Sequence, residues 1–196
     1  MLLCHYLLLT SYGLPEVQLN TTKTIYNYGQ VLSLEIKVTE LTTNKAFVTI
    51  GGPENFQPIV LPATIIHHYD NLTAPSAFYK TVFPPGKYYV RLEYAGSNAT
   101  ALFELKDSPN IAIPPQYKYD AYAWLTGEVP KKYFATDMIK LVHSGVIEVK
   151  NFEPSSSVVI PVWFKHVTSW WINGTVSDND YGHALQYLIK ENVVRP

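Results

Sequence analysis

Residues 113–149 align without a gap onto residues 160–196, an offset of 47 positions that carries Ile113 onto Ile160 and Trp124 onto Trp171. Such a self-match commits the second half of the chain to two copies of one small unit. Each copy is too short to bury its own apolar face, so the copies must pack on each other or on something else. Pro114/Pro161, Lys118/Lys165, Gly127/Gly174, Val129/Val176, Leu141/Leu188 and Val146/Val193 are also identical pairs, and Tyr117/Phe164, Phe134/Tyr181 and Met138/Leu185 are similar.

Each copy opens on a proline suited to the first turn of a helix. Apolar positions follow at Tyr117, Ala121, Trp124 and Leu125, or Phe164, Thr168, Trp171 and Ile172, the spacing of one helical face. Gly127 and Gly174 are natural left-handed stops. A second helix is marked by Phe134, Met138, Leu141 and Val142, or Tyr181, Leu185, Leu188 and Ile189, and it ends at Gly145 or Asn192. In the second copy Ser177 stands as N-cap with Asp180 in the first turn. The sequence therefore predicts two helical hairpins, 113–149 and 160–196, joined by a polar linker over 150–159. Trp124 and Trp171 are the expected anchors, each contributing about 2–3 kcal/mol by area.

The first half reads differently. From Val17 to Asp107 short runs of Val, Ile, Thr, Tyr and Phe are bounded by Gly, Pro and Asn. Leu32, Leu34, Ile36 and Val38 alternate with Val31, Ser33, Glu35, Lys37 and Thr39, giving a strand with one apolar face. Further strands are expected at Ala46–Ile50, Phe56–Leu61, Thr64–Tyr69, Ala77–Phe83, Lys87–Tyr94 and Ala101–Leu105. Tyr28-Gly29-Gln30-Val31 and Pro85-Gly86-Lys87-Tyr88-Tyr89-Val90 resemble the early and late strand signatures of secreted Ig-like and macroglobulin-like domains, which implies a binding or spacing module. The fold class expected is α+β: an N-terminal Ig-like antiparallel β-sandwich over 14–108, then two tandem helical hairpins.

Fifteen Lys and Arg against sixteen Asp and Glu leave a net charge of -1. That balance provides no basic stripe for phosphate, so nucleic acid is excluded as an expected partner. The single cysteine, Cys4, permits neither an intrachain disulfide nor a Cys-based zinc or blue-copper centre in the body of the chain. Residues 1–13 begin with an apolar run shorter than the ~20 residues that span a bilayer, so no transmembrane span is expected. The run reads as the end of a secretion leader, with continuation into the first strand as the alternative. Sequons at Asn20, Asn71, Asn98 and Asn173, each beside turn-forming residues, are candidate glycosylation sites and point to an extracellular or cell-surface location.

Little in the sequence announces chemistry. His67 and His68, adjacent on an expected strand, point to opposite faces. His143, His166 and His183 fall at non-equivalent positions of the repeat. Asp178-Asn179-Asp180 has the start of a calcium loop without its remaining ligands, and helix capping explains it better. No hydrolase elbow, phosphate loop, dinucleotide fingerprint or zinc-protease motif occurs. No catalytic residue, cofactor or metal ligand is therefore assigned. The candidate binding residues are Trp163, Trp170 and Trp171. Copy one keeps only the equivalent of Trp171, with Gln116 and Ala123 in the other two places, so two bulky rings exceed what the hairpin core requires. They suit a protein or glycan surface, with packing on the linker or sandwich as the alternative.

The run from Ile160 to Val194, with Pro161, Trp163, Lys165, Trp170, Trp171, Gly174, Ser177, Asp178, Asp180, Tyr187, Leu188 and Ile189, resembles a repeat found in exported proteins of ammonia-oxidising archaea. Copy one departs from it at Gln116, Ala123, Pro130 and Lys131. The resemblance implies an archaeal cell-surface setting, in which such repeats are appended to varied envelope modules, and no activity of the repeat itself. The function expected is that of a non-catalytic envelope protein, structural or binding a protein of the envelope or of a membrane complex, or a glycan. The alternative is an accessory or metal-handling subunit of an extracytoplasmic enzyme complex, in which His67 or His68 meets a histidine of the repeats.

Overall fold

A computed structural model describes residues 14–196. The leader expected over residues 1–13 lies outside the described residues. Among the described residues the chain is mixed α and β, with two sheets in its first half and four helices in its second.

One sheet has the order β1-β3-β6, built from β1 (Val17–Thr21), β3 (Val31–Val38) and β6 (Tyr69–Ala77), all antiparallel. The other has the order β2-β8-β7-β4-β5, from β2 (Ile25–Asn27), β8 (Ser97–Lys106), β7 (Gly86–Tyr94), β4 (Ala46–Gly51) and β5 (Ile59–Ala63). The pairing of β2 with β8 is parallel, a departure from the wholly antiparallel arrangement expected. Leu32, Leu34, Ile36 and Val38 of β3 are buried, as their alternation requires. They share one apolar cluster with Val48 and Ile50 of β4 and with Tyr88, Val90, Leu92 and Tyr94 of β7, so the inner faces of both sheets form a single core.

Aromatic rings fill one end of that core. Tyr26 meets Phe78 and Phe103 edge-on at 5.4 and 5.3 Å, and Tyr88 stacks on Phe103 at 5.2 Å. Buried phenols need hydrogen-bond partners. Tyr88 donates to the Pro84 carbonyl at 2.6 Å and Tyr28 to that of Phe83 at 3.0 Å. Burial pushes the Tyr28 hydroxyl up to about 12, with the nearby Asp107 carboxylate adding to the rise.

Two expected strands fall elsewhere. Residues 64–68 are not in a strand, and only Ala77 of the Ala77–Phe83 run is, as the last residue of β6. The chain after β6 turns instead, with Val82 and Phe83 donating backbone bonds to the Tyr79 carbonyl while Phe78 enters the core. β6 carries Pro75 and polar outward positions because it pairs on one side only, where a missing donor is tolerated.

The helices are α1 (Gln116–Thr126), α2 (Lys131–His143), α3 (Phe164–Ile172) and α4 (Asp178–Lys190). Helix α1 packs against α2 and α3, and α3 against α4. The two copies repeat their local geometry closely. Gly127 and Gly174 take φ of 82° and 81°, the left-handed stop that glycine adopts without strain. Trp124 stacks on Phe134 at 4.4 Å, and Trp171 on Tyr181 at 4.2 Å. All four rings lie in a second apolar cluster, separate from that of the sheets.

The segments ahead of α1 and α3 are exchanged between the two copies. Asp178, at the start of α4, accepts from the backbone N–H of Ile113 at 3.3 Å, ahead of α1. Lys131, at the equivalent position of α2, donates to the Val158 carbonyl at 3.0 Å, ahead of α3. Gly182 leaves room for Ile111, whose Cγ2 would lie 2.5 Å from a Cβ placed there. Lys80, on the turn after β6, reaches Asp107 at 3.0 Å and Glu148 at 3.1 Å, tying the sheets to the helices.

Candidate functional site

Helix α3 sorts its side chains onto two faces. Phe164, Thr168 and Trp171 turn into the helical core, whereas Trp163, His166, Trp170 and Asn173 are exposed. Steps of three and four residues put the second set on one stripe. Trp163 precedes α3 but has helical φ and ψ of -63° and -24°, so it keeps the register. Seven residues of helix set Trp163 and Trp170 about 10.5 Å apart along the axis. Their exposures are 47% and 50%, large for tryptophans that nothing in the hairpin core requires.

Trp171, grouped with them by sequence, is instead a core residue at 1% exposure. Its indole N–H donates to Asp178 Oδ1 at 2.8 Å. The reason is helical phase: a residue one step from Trp170 turns about 100° around the axis, onto the stripe of Phe164 and Thr168.

The four sequon asparagines are all exposed but differ in backbone setting. Asn20 lies in β1, Asn71 in β6 and Asn98 in β8. Asn20 and Asn71 flank Glu35 in one row across the three-stranded sheet. Asn173 alone ends a helix, and its Oδ1 accepts from the Thr175 backbone N–H at 3.1 Å and from the Thr175 hydroxyl at 2.7 Å.

The histidine expectations change more. His67 and His68 occupy a bend before β6 rather than a strand. His67 Nδ1 lies 3.4 Å from Asp70 Oδ1, and His68 Nδ1 lies 3.0 Å from the Val38 carbonyl. Asp70 holds the bend by accepting from the backbone N–H of Ile66 at 2.8 Å and of His67 at 3.1 Å, and these bonds hold its carboxyl below the usual aspartate range. Among the described residues no three His, Cys, Asp or Glu side chains converge on one point. In Asp178-Asn179-Asp180, Asp178 accepts from Trp171 and Ile113 and pairs with Lys118, Asn179 accepts from Ile111 N–H, and Asp180 bonds with Ser177. The run caps and braces α4.

Two cavities escaped the sequence reading because residues distant in the chain line them. One of about 200 Å³ lies between the sheets and the helices, lined by Lys80, Ser108, Ile111, His183 and Gln186 among others, with the Ser108 hydroxyl buried and unbonded among the described residues. The other, of about 230 Å³, is an apolar cleft between β5 and β6. Pro62 and Pro75 sit on the strands beside it, the device that discourages strand addition at a sheet edge.

Among the described residues no helix is long and apolar enough to cross a membrane. No protein-family model and no curated protein matches the chain. Among solved structures it is similar to the Pseudomonas fluorescens alkylpurine DNA glycosylase AlkC bound to DNA containing an abasic site analog, at 19% identity and a TM-score of 0.27, over 47% of this chain and 30% of that one. The chain thus spans under a third of that glycosylase. It is also similar to the M1 domain of titin, at 13% identity and a TM-score of 0.29 over 49% and 96% of the two chains. The Dscam1 Ig7 domain, isoform 9, is similar at 15% identity and a TM-score of 0.29, over 48% and 99%.

Proposed function

We propose that the chain is a non-catalytic exported protein of the cell envelope, an Ig-like sandwich carrying two tandem helical hairpins, that engages a protein or glycan partner through Trp163 and Trp170. The observation that carries this reading is the pair of half-exposed indoles on one stripe of α3, at positions where the first copy has Gln116 and Ala123. Tryptophans in such a setting serve as anchors of recognition surfaces. The strand orders β1-β3-β6 and β2-β8-β7-β4-β5 around one core support the Ig-like description. Four exposed sequons, and the resemblance of residues 160–196 to an exported archaeal repeat, support a position at the cell surface.

The test is capture from native envelope with the unmodified chain beside one carrying Trp163→Ala and Trp170→Ala. A protein or glycan held by the first and lost with the second supports the reading. Equal capture by both removes the two rings from the interface and turns attention to the sheets.

A further inference from the structure

We propose that Asn173 is the glycan acceptor of the four sequons and that its first sugar lies against the indole of Trp170, so that the outward stripe of α3 is a glycan face whose first occupant the chain itself carries. This rests on the reading of the chain as exported, and it names the partner chemistry of the same stripe.

The backbone separates the four acceptors. Asn20, Asn71 and Asn98 are paired in strand ladders, against Glu35, Glu35 and Glu93. An acceptor amide belongs on a surface loop, and Asn173 meets that condition, followed by the left-handed Gly174. Thr175 already occupies the amide oxygen of Asn173 through both its N–H and its hydroxyl. The oxygen side of the amide is thereby fixed, with the nitrogen on the other side.

Transfer would come from an oligosaccharide activated as a lipid diphosphate. The Asn173 Nδ2 forms a bond to the anomeric carbon, the bond from that carbon to the phosphate oxygen breaks, and the lipid diphosphate leaves with the electron pair. The displaced amide proton passes to a base of the transferase.

Trp170 and Asn173 are three residues apart in helical register, since Asn173 N–H still bonds the Ser169 carbonyl at 3.1 Å. Side chains at that spacing have Cβ atoms about 5–6 Å apart. A sugar on Asn173 therefore starts beside the exposed indole, whose flat apolar body suits the C–H face of a pyranose ring. The same sugar obstructs a protein surface from seating flat on Trp170. Trp163, about 10.5 Å further along the axis, is placed for later sugars of an extended glycan.

The experiment maps glycopeptides by mass on the full chain purified from its native envelope, then records contacts between the Trp170 ring protons and sugar protons by NMR. Thr175→Val and Trp170→Phe are made alongside. The result expected is sugar at Asn173, lost in Thr175→Val with the chain still exported, and ring–sugar cross-peaks that disappear in Trp170→Phe while Asn173 remains modified. Sugar at Asn20, Asn71 or Asn98 with Asn173 bare overturns the inference and leaves the envelope reading standing. Modified Asn173 without ring–sugar contacts overturns the glycan face. An unmodified chain found only in the cytoplasm overturns both readings.

Discussion

The ammonium of Lys118 lies 5.3 Å from the centroid of the Trp171 indole, across the boundary between the two repeats. Its counterpart Lys165 lies 5.3 Å from the indole of Trp124, so each copy covers the tryptophan of the other. Lys131 and Asp178 extend the exchange to the segments ahead of α3 and α1. Contacts in which i meets j and j meets i are those of two-fold related subunits, and they close instead of propagating. The two copies therefore share one helical core.

The exchange is unequal in strength. Lys118 also pairs with Asp178 Oδ1 at 3.0 Å, whereas the position equivalent to Asp178 in the first copy is Lys131. Lys165→Ala should cost about 0.5–1 kcal/mol, the value of a partly exposed cation over an aromatic face. Asp178→Ala should cost about 1–3 kcal/mol, because it strips acceptors from Trp171 and Ile113 as well. Urea unfolding of the full chain is expected to rank the losses Asp178→Ala, then Lys118→Ala, then Lys165→Ala. Equal losses would mean that the carboxylate does not brace the interface.

A second asymmetry is matched within itself. Copy two buries Thr168 Oγ1 3.1 Å from the Tyr181 hydroxyl, and copy one has Ala121 and Phe134 at those places, so both hydroxyls are present or both absent. Tyr181→Phe or Thr168→Val alone leaves a buried hydroxyl unbonded, at about 1–3 kcal/mol. The double substitution should cost less than the sum of the two, by about 1 kcal/mol in a double-mutant cycle. Strict additivity would show that the two hydroxyls do not satisfy each other.

The helical half was legible because its apolar residues recur at helical spacing in both copies and its glycines fall where the chain needs φ near 80°. Strand β3 was legible by strict alternation. Strand β6 was not, because Tyr69-Asp70-Asn71-Leu72-Thr73-Ala74-Pro75 has the composition of a loop and its place is set by pairing with β3. The run at Ala77–Phe83 misled in the opposite sense: Phe78 is buried and Phe83 half-buried from a turn, while Val82 is exposed. Of the tryptophans, Trp171 was grouped with Trp163 and Trp170 as a candidate binding residue although it shares the helical face of Phe164 and Thr168, and only the packed structure showed it buried and the other two exposed. Which copy covers which tryptophan is absent from a repeat pattern, since each lysine has the same sequence distance to its own tryptophan.

Asp137 of α2 gives a pH prediction. Burial pushes its carboxyl above the ordinary aspartate value of 3.8, the Lys140 ammonium at 2.8 Å opposes the rise, and Asp120 adds to it. The folded chain then holds this proton more tightly than the unfolded chain. Its contribution to stability is greatest below 3.8 and declines as pH rises from there through the folded value. Asp70 has the opposite sign: its lowered carboxyl contributes above 3.8, and that contribution is lost as pH falls through the folded value. The stability of the unmodified chain minus that of Asp137→Asn should fall with rising pH in this range, and the difference against Asp70→Asn should rise. Parallel profiles for the two variants would refute the assignment.

Trp163, Trp170 and Trp171 should separate stability from recognition. Trp171→Ala removes a fully buried ring stacked on Tyr181 and leaves Asp178 without its indole donor, a loss of about 3–5 kcal/mol. Trp163→Ala and Trp170→Ala remove half-exposed rings, and each should change unfolding free energy by no more than about 0.5 kcal/mol. Thermal and urea unfolding of the three variants measures this directly. The ring of Trp163 also meets Phe164 edge-on at 5.9 Å. A cost at Trp163 as large as that at Trp171 would therefore mean that this contact anchors the helix, and the outward stripe would then be packing surface and not a recognition face.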